Sequence, residues 1–311
     1  MTGKAGAAGT PTAGGGALSA PTRAWLEAGR HVTVDGHRVF VHERGEGPTV
    51  VFIHGFPTSG HDWKSVIDDL AADHRCIAFD QLGYGLSDKP RRWSYSLFQQ
   101  ADVVEGLLAA LGVDAVHLVS HDVGTSLHTE LVARLAEGRL GFGMRAATFL
   151  NGSMIKSMAS LTRFQQILET PSRLPEARDL VAGMLGGYVA SLRRVMARRE
   201  CISDEDETVM REVMAYQDGH LNIPAVYSYV RERYLHSETW LAALARTDVP
   251  TQLVWGADDP VAVIGMGRAI AERLPLARFT ELAGVGHFVP MEAPGAVAAA
   301  VRSHDALVTG G

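Results

Sequence analysis

Apolar residues fall along this chain in two patterns. Short continuous apolar runs, each closed by turn-forming residues, recur at Thr49–His54, Cys76–Asp80, Val116–Ser120, Ala146–Leu150 and Gln252–Trp255, with a weaker run at Arg278–Leu282. Continuous runs suit strands buried on both faces of a parallel sheet, because neither face can carry polar side chains. Between them lie stretches of helical period, Leu97–Leu111, Thr125–Leu135, Ile264–Leu274 and Ala293–Val301. Ahead of them, His31–Val34 and His37–His42 flank Asp35-Gly36, the two-residue turn signal of a hairpin. Strand–helix alternation predicts an α/β fold, a mostly parallel central sheet with helices on both faces.

That rhythm stops between Gly152 and about Ala245. No buried-strand run occurs there; the pattern is helical, rich in Arg, Met and Tyr, and divided by Pro171, Pro175 and Pro224. A helical cap inserted between two strands would sit over the C-terminal edge of the sheet, where open α/β sheets bind ligands. The expected division is a core of residues 23–151 and 246–311, a cap of residues 152–245 and a flexible tail of residues 1–22. The tail is mostly small residues, too poor in apolar area to offset the entropy of ordering. Val308 to Gly311 should fray in the same way.

Composition narrows the function. No apolar run in the 311 residues approaches the ~20 needed to span a membrane. The formal charge is −6, and the basic pairs Arg91-Arg92, Arg193-Arg194 and Arg198-Arg199 are short, which argues against nucleic acid as a partner. Two cysteines, Cys76 and Cys201, fit a reducing compartment, and the N-terminal stretch lacks a signal peptide's apolar segment. A cytoplasmic protein is expected. There is no metal-ligand cluster, and Gly83-Tyr84-Gly85 reads as a turn, so neither metal nor cofactor is expected.

The chemistry concentrates at three strand ends. Val116 to Ser126 reads as strand, tight turn with small residues, then helix, the geometry of a nucleophile elbow with Asp122 at its apex. A helix N-terminus there favours a carboxylate. Asp is also a common helix cap, which is the plainer role for Asp122. Asp258 and Asp259 follow the strand ending at Trp255, and His287 lies in a glycine-flanked loop after the last strand. Asp122, Asp259 and His287 thus follow the order nucleophile, acid, histidine. His54-Gly55-Phe56-Pro57 supplies a further tight turn. The backbone N–H groups of Phe56 and Val123 would form an oxyanion hole, with His54 a structural residue of the loop.

The segments HGFPTSGHDW (54–63), FDQLGYGLSDKP (79–90), SHDVGTS (120–126), LNGSM (150–154), YVRER (229–233), WGADDPV (255–261) and GVGHFVPMEAP (284–294) resemble the α/β-hydrolase superfamily. The likeness is to its aspartate-nucleophile branch of epoxide hydrolases and haloalkane dehalogenases, and within it to a subgroup related to the mesoderm-specific-transcript protein. It spans about Val39 to Val301. It implies that Asp122 attacks an sp³ carbon to form an alkyl-enzyme ester, and that water activated by His287, oriented by Asp259, hydrolyses it. Asn151 stands where some dehalogenases carry the acid, which favours Asp259.

The departures from the family pattern separate its subclasses. Dehalogenases hold halide with a Trp after the nucleophile, but here that residue is Val123; Trp63 and Trp255 read as core and Trp240 as a cap residue. Epoxide opening needs an acid, which the family supplies from cap tyrosines. Of Tyr188, Tyr216, Tyr227, Tyr229 and Tyr234, the candidates are Tyr229 and Tyr216, with Tyr227 and Tyr234 sharing another face of one predicted helix. Arg231 and Arg233 read as surface or cap ion pairs. The expected function is epoxide hydrolysis of a small apolar organic substrate by water, and a homodimer is left open. The alternatives are a dehalogenase, a non-hydrolytic ligand-binding or biosynthetic protein, and a serine esterase using Ser120.

Overall fold

The structure, a computed structural model, describes residues 12–13, 16–274 and 276–309. Its centre is an eight-stranded sheet formed by β1 (Gly29–Val34), β2 (His37–Arg44), β3 (Thr49–Ile53), β4 (Arg75–Phe79), β5 (Ala115–His121), β6 (Gly143–Leu150), β7 (Thr251–Gly256) and β8 (Arg278–Leu282). In space the order is β8-β7-β6-β5-β3-β4-β2-β1. The pairs from β8 through β4 are parallel, and the hairpin β1–β2 adds antiparallel strands at one edge. Asp35 and Gly36 both take positive φ, 47° and 80°, as a tight hairpin turn requires.

Alternate residues of each central strand serve opposite faces. Val50 and Phe52 of β3 join one apolar cluster with Trp63, α2 (Lys64–Leu70) and Val297 and Val301 of α13 (Pro294–Thr309). Val51 and Ile53 join another, with α3 (Leu97–Ala110), α4 (Val123–Ala136) and Met266 and Ile270 of α11 (Ile264–Arg273). That is why the strands read as continuous apolar runs. Trp63 and Trp255 are fully buried core residues. Helix α2 is an element that the periodicity reading missed; at seven residues it is too short to show a convincing repeat.

Between β6 and β7 the regular elements of the described chain are helices joined by loops, with no strand among them. They comprise α5 (Arg163–Glu169), α6 (Leu174–Ala182), α7 (Tyr188–Arg193), α8 (Asp204–Ala215), α9 (Ile223–Val226) and α10 (Tyr229–Arg246), with short 3₁₀ turns. The buried faces of this segment merge with the cluster containing α3 and α4. The Tyr188 hydroxyl donates to the Pro57 carbonyl at 3.0 Å, and the Glu232 carboxylate accepts the Leu97 N–H at 2.7 Å.

The tail expectation needs correcting at its C-terminal end. Residues 1–11, 14 and 15 lie outside the described residues, but Leu18 is buried and Ser19 caps helix α1 (Ala20–Ala28). Ser19 also docks on α8, its N–H and hydroxyl donating to Glu212 at 3.0 and 2.9 Å. A serine cap followed by Pro21 in the first turn is a helix start. At the other end α13 continues through Thr309, beyond the expected fraying at Val308, while Gly310 and Gly311 lie outside the described residues. Among the described residues no helix is long and apolar enough to cross a membrane.

Candidate active site

The elbow forms because β5 must reverse into α4 within a single residue. Asp122 makes that reversal at φ 48°, ψ −113°, a conformation that costs a non-glycine residue about 1–3 kcal/mol. The turn is possible only because its neighbours are small. A Cβ on Gly124 would come within 2.6 Å of the Ile53 carbonyl oxygen, and one on Gly55 within 2.9 Å of the Asp122 Cβ. The Asp122 side chain does not cap α4. Its Oδ2 instead accepts the Phe56 N–H at 2.9 Å, which leaves Oδ1 turned away from that donor. Val123 is the first residue of α4, so its N–H has no acceptor within the helix.

His54 holds the Phe56 turn in place. Its Nδ1 donates to the Gly55 carbonyl at 2.8 Å and its Nε2 accepts the Gln81 N–H at 3.1 Å. Burial lowers its pKa, consistent with a neutral, structural imidazole.

Asp259 and His287 meet across the ends of β7 and β8. His287 Nδ1 donates to Asp259 Oδ2 at 2.8 Å. The same oxygen accepts the Asn151 Nδ2–H at 2.6 Å, Asp259 Oδ1 accepts the Val261 N–H at 2.7 Å, and Asn151 Oδ1 accepts the Gly256 N–H at 2.8 Å. Burial alone would raise the Asp259 pKa, but the His287 charge and these donors hold it below the usual carboxylate value. Burial would likewise lower His287, but the Asp259 carboxylate, with further pull from Asp122 and Glu292, raises it to about 9.

The His287 loop, which runs into the one-turn helix α12 (Val289–Glu292), has its own supports. Buried Glu292 accepts the N–H groups of Gly286 and Phe288 at 2.8 and 3.0 Å, and those of Ala197 and Arg198 at 2.9 Å each. The Val195 carbonyl accepts the His287 N–H at 2.9 Å, and His121 Nε2 lies 2.8 Å from the His287 carbonyl oxygen. Residues 195–198 of the helical segment therefore grip the histidine loop. Asn151, His121 and Glu292 are positioning residues that sequence reading did not assign. All three lie inside the motif segments that carry the family resemblance, and Asn151 stands where some dehalogenases place the acid, which is the signal the chain offers for them.

The tyrosines separate clearly. Tyr229, the first residue of α10, is buried against Phe56, with ring centroids 5.8 Å apart. Burial and the Asp122 charge push its phenol well above the ordinary value, so it stays protonated. Tyr227 stacks edge-on against Tyr229 at 5.6 Å, and its buried hydroxyl has no hydrogen-bond partner. Tyr84, on the loop after β4, is raised by the same two causes.

Tyr227 belongs to the turn before α10, so it does not share a helix face with Tyr234 as the sequence reading supposed. Tyr216 is not brought to this cluster. It packs with Trp25, Phe40 and Leu86 and lies under the Lys89 ammonium, 5.2 Å from the ring centre. The reason is that α8 ends at Ala215, on the side where α1 docks. Ser120 is fully buried beneath the elbow, hydrogen-bonded to His128 at 2.9 Å, which removes it as an exposed nucleophile.

Arg233 also corrects its sequence reading. It is only 4% exposed, its Nε donates to the Ser126 hydroxyl at 2.7 Å, and its Nη2 stands 3.7 Å from Asp122 Oδ1. It is neither a surface residue nor paired within the helical segment. A second buried polar group, Asp62, lines a cleft with Tyr84, Lys89 and Tyr188. Burial, helped by nearby carboxylates, pushes Asp62 up to about 8.

Residues 50–300 match the family described as "Alpha/beta hydrolase family". The chain is 38% identical over 286 residues to the LipZ protein of Mycobacterium tuberculosis, named as a hydrolase, covering 92% of this chain and 98% of that one. It is 32% identical to the mesoderm-specific transcript homolog protein of Bos taurus, covering 78% and 75% of the two chains. Among solved structures, Cfl2 from Burkholderia cenocepacia superposes with a TM-score of 0.77 at 26% identity, over 88% of this chain and 94% of that one.

Proposed function

The chain belongs to the alpha/beta hydrolase family, and from that premise we propose that it is a hydrolase of the epoxide-hydrolase type, with Asp122 as a covalent nucleophile. The observation that carries the reading is the division of labour between the two Asp122 oxygens. Oδ2 rests on the Phe56 N–H, while Oδ1 has no such donor and is available to attack.

In the first step Oδ1 forms a C–O bond to an epoxide carbon. The ring C–O bond breaks, its electron pair stays on the ring oxygen, and a phenol of Tyr229 or Tyr227 supplies the proton. Val123, rather than Trp, follows the nucleophile, and Trp63 and Trp255 are committed to the core, which favours this leaving group over a halide. In the second step His287 takes a proton from water, and the hydroxide adds to the ester carbonyl carbon. The Phe56 and Val123 amides hold the oxyanion on Oδ2. Collapse breaks the bond between the Asp122 acyl carbon and Oδ1, so Oδ1 leaves on the substrate carbon and takes the proton from His287 as the second hydroxyl of the diol. The oxygen from water stays on Asp122, and its proton returns to the phenolate, which restores the carboxylate and the tyrosine.

Alkylation also prepares the base. In the resting site the Asp122 charge helps to hold the proton on His287. Once Asp122 is a neutral ester that pull is gone, so the imidazole yields its proton more readily when it is needed as a base.

The test is to incubate His287→Gln with a panel of epoxides and map adducts by mass spectrometry. Ester on Asp122 that accumulates only in the variant is the expected result. A folded variant that carries no adduct across the panel refutes the assignment.

A further inference from the structure

A cation stands close to the attacking oxygen, and the chemistry just described takes its counter-charge away. Arg233 is buried on α10; its Nε is used on Ser126, and its Nη2 makes no hydrogen bond although it stands 3.7 Å from Asp122 Oδ1. The guanidinium carbon stands 4.9 Å from the centre of the Tyr229 ring, in cation–π reach. Beside it opens a small cleft lined by Arg233, by Ser126, Thr129 and Ser237, and by the apolar Met154 and Leu241. The Ser126 oxygen accepts from Arg233, so its own O–H proton can be donated to another group. The Thr129 hydroxyl is committed to the Ser126 carbonyl, but the Ser126 hydroxyl and the free Nη2 of the guanidinium, both facing this space, make a recognition site for an anion.

Charge conservation says which state needs that anion. With Asp122 ionised, the local positive charge of Arg233 has a counter-ion. When Asp122 becomes an ester its charge disappears, and a buried guanidinium is left alone, an arrangement that proteins avoid unless another anion is present. A departing alkoxide is neutralised by its proton, so it cannot serve through the second step. A carboxylate fixed to the substrate can, and its planar pair of oxygens matches the guanidinium fork. We propose that Arg233, with Ser126, recognises a carboxylate on the substrate, so that the enzyme acts on electrophiles that carry an acid group next to the reacting carbon. The inference rests on Asp122 being the nucleophile. It replaces the expectation of a wholly apolar substrate with one that is anionic at one end.

The experiment measures binding, so that it does not depend on turnover. Asp122→Asn carries a neutral amide where the intermediate carries a neutral ester. Calorimetric titration with propionate and with propionamide compares an anion with a neutral molecule of nearly the same shape. Asp122→Asn should bind propionate roughly tenfold or more tightly than propionamide, and more tightly than the wild type does, where the Asp122 charge repels it. Arg233→Met added to Asp122→Asn should abolish that preference, and Arg233→Lys should keep part of it. Equal binding of the two ligands by Asp122→Asn overturns the proposal, as does a preference that survives Arg233→Met. If Arg233→Met does not fold, the two-ligand comparison in Asp122→Asn alone still decides. An Asp122 adduct in His287→Gln without propionate discrimination sinks only the anion site; discrimination without an adduct sinks only the nucleophile assignment.

Discussion

Replacing Asp259 by Asn removes one charge and almost no volume, and the structure gives the size of the consequence. His287 titrates at about 9 against an ordinary 6.5, although it is fully buried, and Asp259 is the main cause of the rise. With only the uncharged amide beside it, the imidazole should titrate at or below 6.5. The fall from about 9 to 6.5 corresponds to about 3 kcal/mol in favour of the protonated form in the wild type.

The sign of the stability effect follows. Because the folded pKa lies above the unfolded one, the wild type holds this contribution in full below pH 6.5 and loses it as the pH rises through about 9. In Asp259→Asn that loss between pH 6.5 and 9 should vanish. Hydrogen bonding adds a second cost. Oδ2 accepts from both His287 and Asn151, and Oδ1 accepts from the Val261 N–H, whereas an asparagine has only one accepting atom. Either orientation sets an NH₂ against a buried donor, at about 1–3 kcal/mol. Ring-proton NMR of His287, assigned with His287→Gln, and urea melts at several pH values give both readouts. An imidazole in Asp259→Asn that still titrates above 8 would refute this reasoning.

Three further outcomes follow from the same geometry. Tyr229→Phe or Tyr227→Phe, whichever removes the acid, should slow adduct formation in the His287→Gln background by about 10²–10⁴-fold in rapid-quench mass spectrometry, and the other should change it little. Asn151→Ala leaves the buried Gly256 N–H without its acceptor and should cost about 1–3 kcal/mol in urea unfolding, with a lowered turnover as Asp259 loses one of its donors. Glu292→Gln puts an amide NH₂ against at least one of four backbone N–H groups, and should lower stability by a similar amount and loosen the His287 loop, seen as faster amide exchange at Gly286 and Phe288.

The order of strands and helices was legible because it rests on local periodicity. A strand buried on both faces must be mostly apolar, and β3 to β7 are, with buried polar exceptions such as His117, Thr148 and Gln252 that hydrogen-bond to one another and to Asp305. The elbow was legible for a related reason, since a one-residue reversal demands small neighbours and leaves Gly124 as its mark. The pairing of His287 with Asp259 could be anticipated from chain order, because both lie just beyond strand ends that a parallel sheet brings together.

Contacts made across the fold carried no such mark. Asn151 reaches Asp259 over 108 residues, and Arg233 reaches Ser126 over 107. Nothing local distinguishes Arg233 from Arg231, or Tyr229 from Tyr216. Each pair shares its chemistry, and only the way α10 packs on α4, and α8 on α1, sends one member to Asp122 and the other elsewhere. Local patterns settle backbone geometry because their energetics involve near neighbours. Which polar side chain ends up buried beside a charge is settled by packing, since that placement is tolerable only when distant elements supply its partners.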